Sequence, residues 1–150
     1  MSDRLVPLPD LAATAGFGAQ IAGVLRKGDV VALSGALGAG KTTLARAILR
    51  AAGYAGEVPS PTFTILETYD PPAVCLPIVH ADFYRLNQPS EAEELGLADY
   101  RQDAALLAEW PERVGGFAGE VNYLGIHLQA REEDRIARIE MGPGWQGRIA

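Results

Sequence analysis

Disulfides, membrane spans and export signals are all missing from this chain of 150 residues. The only cysteine is Cys75, so no internal disulfide can form, and the lone thiol suits a reducing compartment. No apolar stretch reaches the roughly 18 residues that a transmembrane helix requires. Residues 1–10 lack the basic and then apolar pattern of an export signal. We therefore expect a soluble, cytoplasmic protein that does not contact a membrane.

Lysine is also scarce, since only Lys27 and Lys41 occur, and the formal net charge is −6. Proteins that bind nucleic acid directly are usually basic, so this charge favours small ligands or protein partners instead. The hydrophobic content of 48% argues against disorder, and the length suits a single domain over residues 1–150.

The most informative pattern is GALGAGKTT, which runs from Gly35 to Thr43 and fits the phosphate-binding loop G-x-x-x-x-G-K-S/T. An apolar run at 29–34 precedes it and is typical of a buried strand. Residues 42–52 follow it and favour a helix. A strand, a loop and a helix in this order predict a nucleoside triphosphate site. A glycine-rich turn that merely joins two elements is the alternative, and the complete motif disfavours it.

The loop's residue types match the chemistry of polyphosphate binding. Glycines let the backbone N–H groups approach the phosphates, and the helix N-terminus adds partial positive charge. Lys41 is predicted to contact the β and γ phosphates, Thr42 to ligate Mg²⁺, and Thr43 to bond a phosphate oxygen. The predicted nucleotide-binding residues of the loop are Leu37, Gly38, Ala39, Gly40, Lys41, Thr42 and Thr43.

Alternating helices and strands around this loop predict an α/β fold of the P-loop NTPase kind. We expect a mainly parallel β-sheet flanked by helices, with antiparallel strands at one edge. Asp10 is the predicted N-cap of the first helix, and Gly28 its predicted end. The predicted helices are 11–26, 42–52 and 90–97, and the predicted strands are 30–34, 62–69, 76–81, 104–109, 123–129 and 135–140, the last two forming a hairpin.

Two carboxylates follow predicted strands of this sheet, Asp82 after the strand residues 78–80 and Glu109 after 106–108. Ligands gather at the carboxyl ends of parallel strands, so both side chains should lie near the phosphate loop. There they would hold Mg²⁺ and order a water molecule, and the division of these roles stays open. The alternatives are a helix cap or an ion pair with Arg85 for Asp82, and a structural role for Glu109.

His80 and Trp110 stand beside these carboxylates in the sequence. His80 is interpreted as packing or hydrogen bonding beside its strand, because no second His or Cys stands at metal-ligand spacing. Trp110 either lies near the nucleotide or packs in the core.

Four motifs occur together in this chain: LGAGKTT at 37–43, SPTFT at 60–64, HADFYRL at 80–86 and EWPE at 109–112. Weaker ones are ELGL at 94–97 and RIARI at 135–139. In this combination and order the chain resembles the bacterial TsaE (formerly YjeE) ATPases of tRNA threonylcarbamoyladenosine biosynthesis. The resemblance spans roughly residues 10 to 140.

The resemblance implies ATP as the substrate and Mg²⁺ as the cofactor. It places Lys41 on phosphate and Thr42 and Glu109 on the metal, and it makes Asp82 an acidic group needed for hydrolysis. Two positions outside the loop that it matches to nucleotide contacts are Thr14 and Arg135, although a helix-face threonine and a strand arginine also have structural explanations.

The segment 60–63 resembles the family's switch-like segment. Its proline would present the Thr62 hydroxyl to a γ phosphate or its metal. An ordinary strand entry, with the hydroxyl capping local backbone, is the equally weighted alternative.

The function that the resemblance implies is an ATPase, weak alone and stimulated by TsaB- and TsaD-type proteins of a threonylcarbamoyl-transfer complex. Its hydrolysis would drive the cycle of that complex, which modifies adenosine 37 of tRNA, and tRNA would be contacted only indirectly. A small-molecule kinase is one alternative, although few arginines remain to clamp a second anionic substrate. A nucleotide-sensing interaction module, in which hydrolysis is incidental, is the other.

Overall fold

The computed structural model describes residues 3–58 and 65–149. Within these residues one seven-stranded sheet has the order β1-β7-β6-β2-β5-β4-β3. The strands are β1 Asp3–Leu8, β2 Val30–Ser34, β3 Leu66–Tyr69, β4 Ile78–Asp82, β5 Ala105–Glu109, β6 Tyr123–Ala130 and β7 Arg135–Met141. The α-helices are α1 Leu11–Ala22, α2 Lys41–Ala51, α3 Pro89–Glu94 and α4 Leu97–Arg101, and the 3₁₀ helices are Pro111–Val114 and Pro143–Trp145. None of the helices in this part of the chain is long and apolar enough to cross a membrane.

The centre of the sheet is parallel and both edges are antiparallel. Strands β6, β2, β5 and β4 run side by side in one direction. Strand β3 pairs antiparallel with β4, and β7 pairs antiparallel with both β6 and β1. The predicted α/β fold of the P-loop kind is confirmed, with antiparallel pairs at a second edge as well. Residues 70–77 between β3 and β4 are too few for the crossover that a parallel pair requires, so this edge is a hairpin.

Side chains alternate between the two faces of the sheet, and this places the carboxylate of Glu109. On β5, Ala105 and Leu107 pack with α1 and α2, whereas Leu106 and Ala108 pack with the α3 and α4 side. Glu109 continues the first series, so its side chain lies on the face that carries α2. The phosphate loop leads directly into α2, and the two therefore meet.

The first helix begins as the sequence predicts but ends early. Asp10 accepts a hydrogen bond from the Ala13 amide at 2.8 Å, which confirms it as the N-cap. The helix stops at Ala22 instead of 26, since the amides of Val24 and Leu25 bond carbonyls three residues back and tighten the chain into a turn. Gly28, the predicted end, lies beyond that turn. The sequence also predicts that Leu11, Phe17, Ile21 and Leu25 share an apolar face. Phe17, Ile21 and Leu25 are buried, but Leu11 is 69% exposed, so the prediction is wrong at that residue.

Other predicted elements agree with the structure apart from three details. Helix α2, the central strands and the β6–β7 hairpin lie where the sequence predicts them. The predicted helix 90–97 is two helices, because Gly96 adopts a φ of 78° between them. Strand β1 was not predicted. Leu5 within this strand is 61% exposed, so the apolar residues of β1 do not all mark a buried face. Of the predicted strand 62–69, residues 62–64 lie outside the described residues.

Candidate active site

The phosphate loop connects β2 to α2 through backbone conformations that favour glycine. Gly40, at the N-cap of α2, has a φ of 105°, and Gly35 has a φ of 139°. A Cβ added at Gly35 would overlap the Leu128 carbonyl oxygen, so only glycine fits there. The loop is thereby closed against β6, and the first turn of α2 is directed at the end of the sheet.

Lys41 is held inside this loop. Its side chain is buried, and its Nζ donates to the carbonyl oxygens of Gly35 at 2.6 Å and Ala36 at 2.9 Å. The Nζ also lies 4.2 Å from the centre of the Trp110 ring, which is within cation–π range. Burial lowers the pKa of Lys41, and the negative charge of Glu109 is the main opposing influence. The amine is thus partly desolvated and close to the anionic groups of the site.

Glu109 ends β5 and is enclosed, with 2% of its surface exposed. Its Oε1 accepts a hydrogen bond from the Thr42 hydroxyl at 2.8 Å, and its Oε2 lies 2.6 Å from Nε2 of His80. A threonine hydroxyl and a carboxylate oxygen at this separation are ligands that Mg²⁺ prefers. The two residues that the sequence assigned to the metal, Thr42 and Glu109, are brought into direct contact.

Asp82 ends β4 and is the register partner of Glu109 on the neighbouring strand. Its Oδ1 accepts a hydrogen bond from the backbone amide of Tyr84 at 2.9 Å. Burial raises the pKa of Asp82; that hydrogen bond is the largest opposing influence, and the charge of Glu109 raises the pKa further. Asp82 is therefore a half-buried carboxylate with one side toward open space, well suited to accept a hydrogen bond from water.

These groups surround one cavity of about 330 Å³. Arg135, at the start of β7, borders it from the antiparallel side of the sheet. The residues that line the cavity are Leu37, Gly38, Gly40, Lys41, Thr42, Thr43, Ile65, Asp82, Tyr84, Arg85, Glu109, Trp110 and Arg135. The cavity therefore collects loop residues, both strand-end carboxylates and the predicted arginine.

The residues present fit a magnesium-bound nucleotide. The Nε of Arg135 is buried without a hydrogen-bond partner within residues 3–58 and 65–149, and a Cβ added at Gly40 would lie 3.2 Å from it. A buried donor left unpaired is costly, and a phosphate group is a natural acceptor for it. Among the described residues no cluster of three or more His, Cys, Asp or Glu could hold a metal alone. Mg²⁺ usually binds through one or two carboxylates together with substrate phosphates, and the Thr42–Glu109 pair suits that arrangement.

Some predicted residues lie away from this cavity. Thr14 is buried on α1 and borders a separate groove between α1 and α2, and its hydroxyl donates to the Asp10 carbonyl at 3.4 Å. Thr43 lines both spaces, so the groove adjoins the cavity. Ala39 is buried beneath the loop. Thr62 lies outside the described residues.

Sequence reasoning left open whether Trp110 lies near the nucleotide or in the core, and it did not single out Tyr84; both line the cavity. Trp110 has a φ of 58°, unusual for a residue other than glycine, and it packs against Tyr84 with ring centres 4.9 Å apart. The guanidinium of Arg113 lies 5.1 Å from the Tyr84 ring and 5.7 Å from the Trp110 ring. HADFYRL carries Tyr84 and EWPE carries Trp110, with Arg113 directly after it, so their closeness in sequence to the two carboxylates was the available signal.

Comparisons with known proteins agree with this geometry. Residues 8–139 match the model of a family described as "Threonylcarbamoyl adenosine biosynthesis protein TsaE". The tRNA threonylcarbamoyladenosine biosynthesis protein TsaE of Haemophilus influenzae is 38% identical over 144 residues, which cover 90% of each chain. The protein of the same name from Mycobacterium tuberculosis is 39% identical over 146 residues, 90% of this chain and 85% of its own. The crystal structure of Bacillus subtilis YdiB is 26% identical with a TM-score of 0.70, over 92% of this chain and 84% of that one.

Proposed function

The chain belongs to the TsaE family of threonylcarbamoyl adenosine biosynthesis proteins, and from that premise we propose that it binds and hydrolyses ATP for threonylcarbamoyl modification of adenosine 37 in tRNA. One observation carries the proposal. Three separate parts of the chain, the phosphate loop with Lys41 and Thr42, the end of β4 with Asp82 and the end of β5 with Glu109, line a single cavity at the carboxyl ends of parallel strands. This is where nucleotides bind in open α/β sheets.

The phosphate loop and the basic side chains bind the polyphosphate. Backbone amides at the start of α2 favour anionic oxygens, and Lys41 exchanges its two loop carbonyls for phosphate oxygens. Arg135 donates its unpaired Nε to the same ligand. Thr14 contacts the nucleotide from the adjoining groove, which shares Thr43 with the cavity.

Hydrolysis needs charge neutralisation and an oriented water. Thr42 and Glu109 would hold Mg²⁺, which when bound neutralises charge on the phosphates. Asp82 accepts a hydrogen bond from the attacking water and places it in line with the γ phosphate. Burial raises the pKa of Asp82 toward the pH at which the reaction runs, and a carboxylate with such a pKa is a better general base.

Partner proteins of the TsaB and TsaD type complete the cycle in this proposal. Leu37, at the tip of the phosphate loop, is 70% exposed, and Tyr84 is 40% exposed. Both line the cavity, so its rim presents apolar surface that another protein could cover. A partner seated there would exclude water and complete the site, so we expect the chain alone to hydrolyse ATP weakly. With a net charge of −6 the chain would meet tRNA only through these partners.

The test is ATP hydrolysis by the purified chain with Mg²⁺, alone and then with TsaB- and TsaD-type proteins and tRNA. Glu109→Ala removes a proposed metal ligand, and Glu133→Ala, at an exposed position between β6 and β7, is the matched control. We expect partners to stimulate the wild type and Glu133→Ala and to leave Glu109→Ala inactive.

Fast hydrolysis that ignores the partners would contradict this proposal. Transfer of the γ phosphate to a small acceptor would instead favour a kinase, and partner binding that depends on ATP but survives loss of hydrolysis would favour a sensing module.

A further inference from the structure

His80 is a buried polar residue on a strand of apolar ones. It lies on β4 between Val79 and Ala81, with none of its surface exposed. Residues two apart on a strand face the same side, so its ring lies on the side of Asp82 and, through strand register, of Glu109. Burying a polar ring costs free energy unless it is hydrogen-bonded, so its partner indicates what it does.

That partner is the carboxylate of Glu109. Nε2 of His80 lies 2.6 Å from Oε2 of Glu109, and an ionised carboxylate only accepts hydrogen bonds, so His80 donates from Nε2. Nδ1 of the ring has no hydrogen-bond partner within the described part of the chain. The polar chemistry of His80 is therefore directed at Glu109, whereas an apolar residue would fill the same space without a buried, unpaired nitrogen.

The two oxygens of Glu109 consequently have different neighbours. Oε2 is taken by His80, while Oε1 receives the Thr42 hydroxyl at 2.8 Å. Two donors on opposite oxygens fix the carboxylate's rotation. Without the donor on Oε2, the group could turn and present either oxygen, or both, to Thr42.

We propose that His80 is a positioning residue that fixes the Glu109 carboxylate through Nε2, so that a single oxygen, Oε1, faces Thr42 and the metal position. This inference rests on the proposed function, because it concerns the metal ligand of that site. Groups that orient a metal ligand contribute about tenfold to a hundredfold to metal affinity or activity.

The experiment measures the affinity for ADP twice, with Mg²⁺ and with EDTA, by calorimetry. The readout is the ratio of the two affinities, which isolates the metal's contribution. His80→Leu removes the donor at similar volume, and His80→Gln keeps an amide N–H at a comparable reach. Val79→Ala is the control for strand stability, since its side chain packs on the opposite face of the sheet.

We expect His80→Leu to bind ADP in EDTA within about twofold of the wild-type affinity. The gain in affinity from Mg²⁺, which is the ratio of the two affinities, should fall about tenfold or more. His80→Gln should recover most of that gain. Val79→Ala should lower the melting temperature without changing the ratio. If His80→Leu does not fold, His80→Asn replaces it, because its shorter amide falls short of Glu109 and should lose the gain that His80→Gln keeps.

An unchanged Mg²⁺ gain in His80→Leu, together with a lower melting temperature, would overturn the inference and leave His80 a packing residue. Equal loss of gain in the Gln and Leu variants would also overturn it, since the hydrogen bond would then not be the cause. Failure of the wild type to bind ADP under either condition would overturn the proposed function itself, a different result.

Discussion

Two neighbouring strand ends hold the carboxylates of this site in contrasting surroundings. At the end of β5, Glu109 is almost fully enclosed and bonded through both oxygens, to Thr42 and His80. At the end of β4, Asp82 is half-buried, and its carboxylate accepts a hydrogen bond from the backbone amide of Tyr84. The two are register partners in the same sheet, so strand position alone does not distinguish them.

The difference assigns the roles that the sequence leaves open. A metal ligand benefits from a fixed orientation, and Glu109 has one. A group that orients water must border open space and be able to exchange partners, and Asp82 is half-buried and lines the cavity. We therefore propose Glu109 as the metal ligand and Asp82 as the residue that orients water.

The largest effect should come from Glu109→Gln. The change removes the ionised oxygen that faces Thr42, so Mg²⁺ loses a charged ligand, which is worth several kcal/mol in the transition state. We expect hydrolysis to fall about 1000-fold, since each 1.36 kcal/mol is tenfold. Glu109→Asp, one methylene shorter, reaches neither Thr42 nor His80 and should lose nearly as much.

Hydrolysis rates, together with the affinity for ADP in Mg²⁺ and in EDTA, check this prediction, and the exposed Glu133→Gln is the matched control. A Glu109→Gln variant that still gains affinity from Mg²⁺ would show that the enclosed carboxylate is not the metal ligand.

Asp82→Asn should have the next largest effect, about 100-fold on kcat, which is a typical loss when a general base is removed. The amide keeps the shape of the side chain but accepts a proton or a water hydrogen bond poorly. Binding of ADP with Mg²⁺ should stay within about twofold of the wild type, because Glu109 and Thr42 are untouched. If Asp82→Asn weakened Mg²⁺-dependent binding more than Glu109→Gln does, the two assignments would have to be exchanged.

Much of this fold could be predicted from the sequence, because the patterns involved are local. The glycine pattern of the loop, the apolar central strands and the rule that ligands gather at strand ends together predict the position of both carboxylates. The end of α1 and the existence of β1 could not be predicted in this way. Strand β1 is defined by its pairing with β7, at the far end of the chain, and by no strong pattern of its own.

The surroundings of the site residues are likewise set by tertiary structure. Enclosure of Glu109 depends on His80, 29 positions earlier, and on Thr42, 67 positions earlier. The hydrogen bond between Nε2 of His80 and the Glu109 carboxylate cannot be read from a motif. Placing Thr14 in a groove beside the cavity likewise required knowledge of how α1 packs on α2.

Side-chain length provides a smaller and sharper test of the contrast. Asp82→Glu keeps the charge and adds one methylene, and the cavity beside Asp82 leaves room for it. We expect the hydrolysis rate to fall about tenfold, because the carboxylate remains but the water that it orients is displaced from the best alignment. Measured beside Glu109→Asp, it should be much the milder change. Equal losses at the two positions would mean that both carboxylates are held equally tightly.

The smallest predicted effect is on stability and concerns the metal-free protein. Burial raises the pKa of Asp82 above its usual 3.8, so the charged form is disfavoured in the folded state. A raised folded pKa contributes stability only at low pH, and that contribution is lost as pH rises through the folded value. Asp82→Asn avoids this penalty, so its melting temperature at pH 7 should exceed that of the wild type by roughly 1–2 °C. The gain is small because solvent screens a half-exposed carboxylate.

Melting curves in EDTA between pH 7 and pH 4 check the sign, because the advantage of Asp82→Asn should shrink as the pH falls and Asp82 becomes protonated. Glu109→Gln should have the opposite effect at pH 7, since the donors on Thr42 and His80 lose an ionised acceptor and charge-assisted hydrogen bonds are the stronger ones. Opposite changes in melting temperature for the two variants would show that the Glu109 carboxylate is stabilised by its surroundings, whereas the Asp82 carboxylate lowers the stability of the fold. A melting temperature for Asp82→Asn at or below that of the wild type at pH 7 would remove this contrast, and with it the argument that Asp82 is the freer of the two.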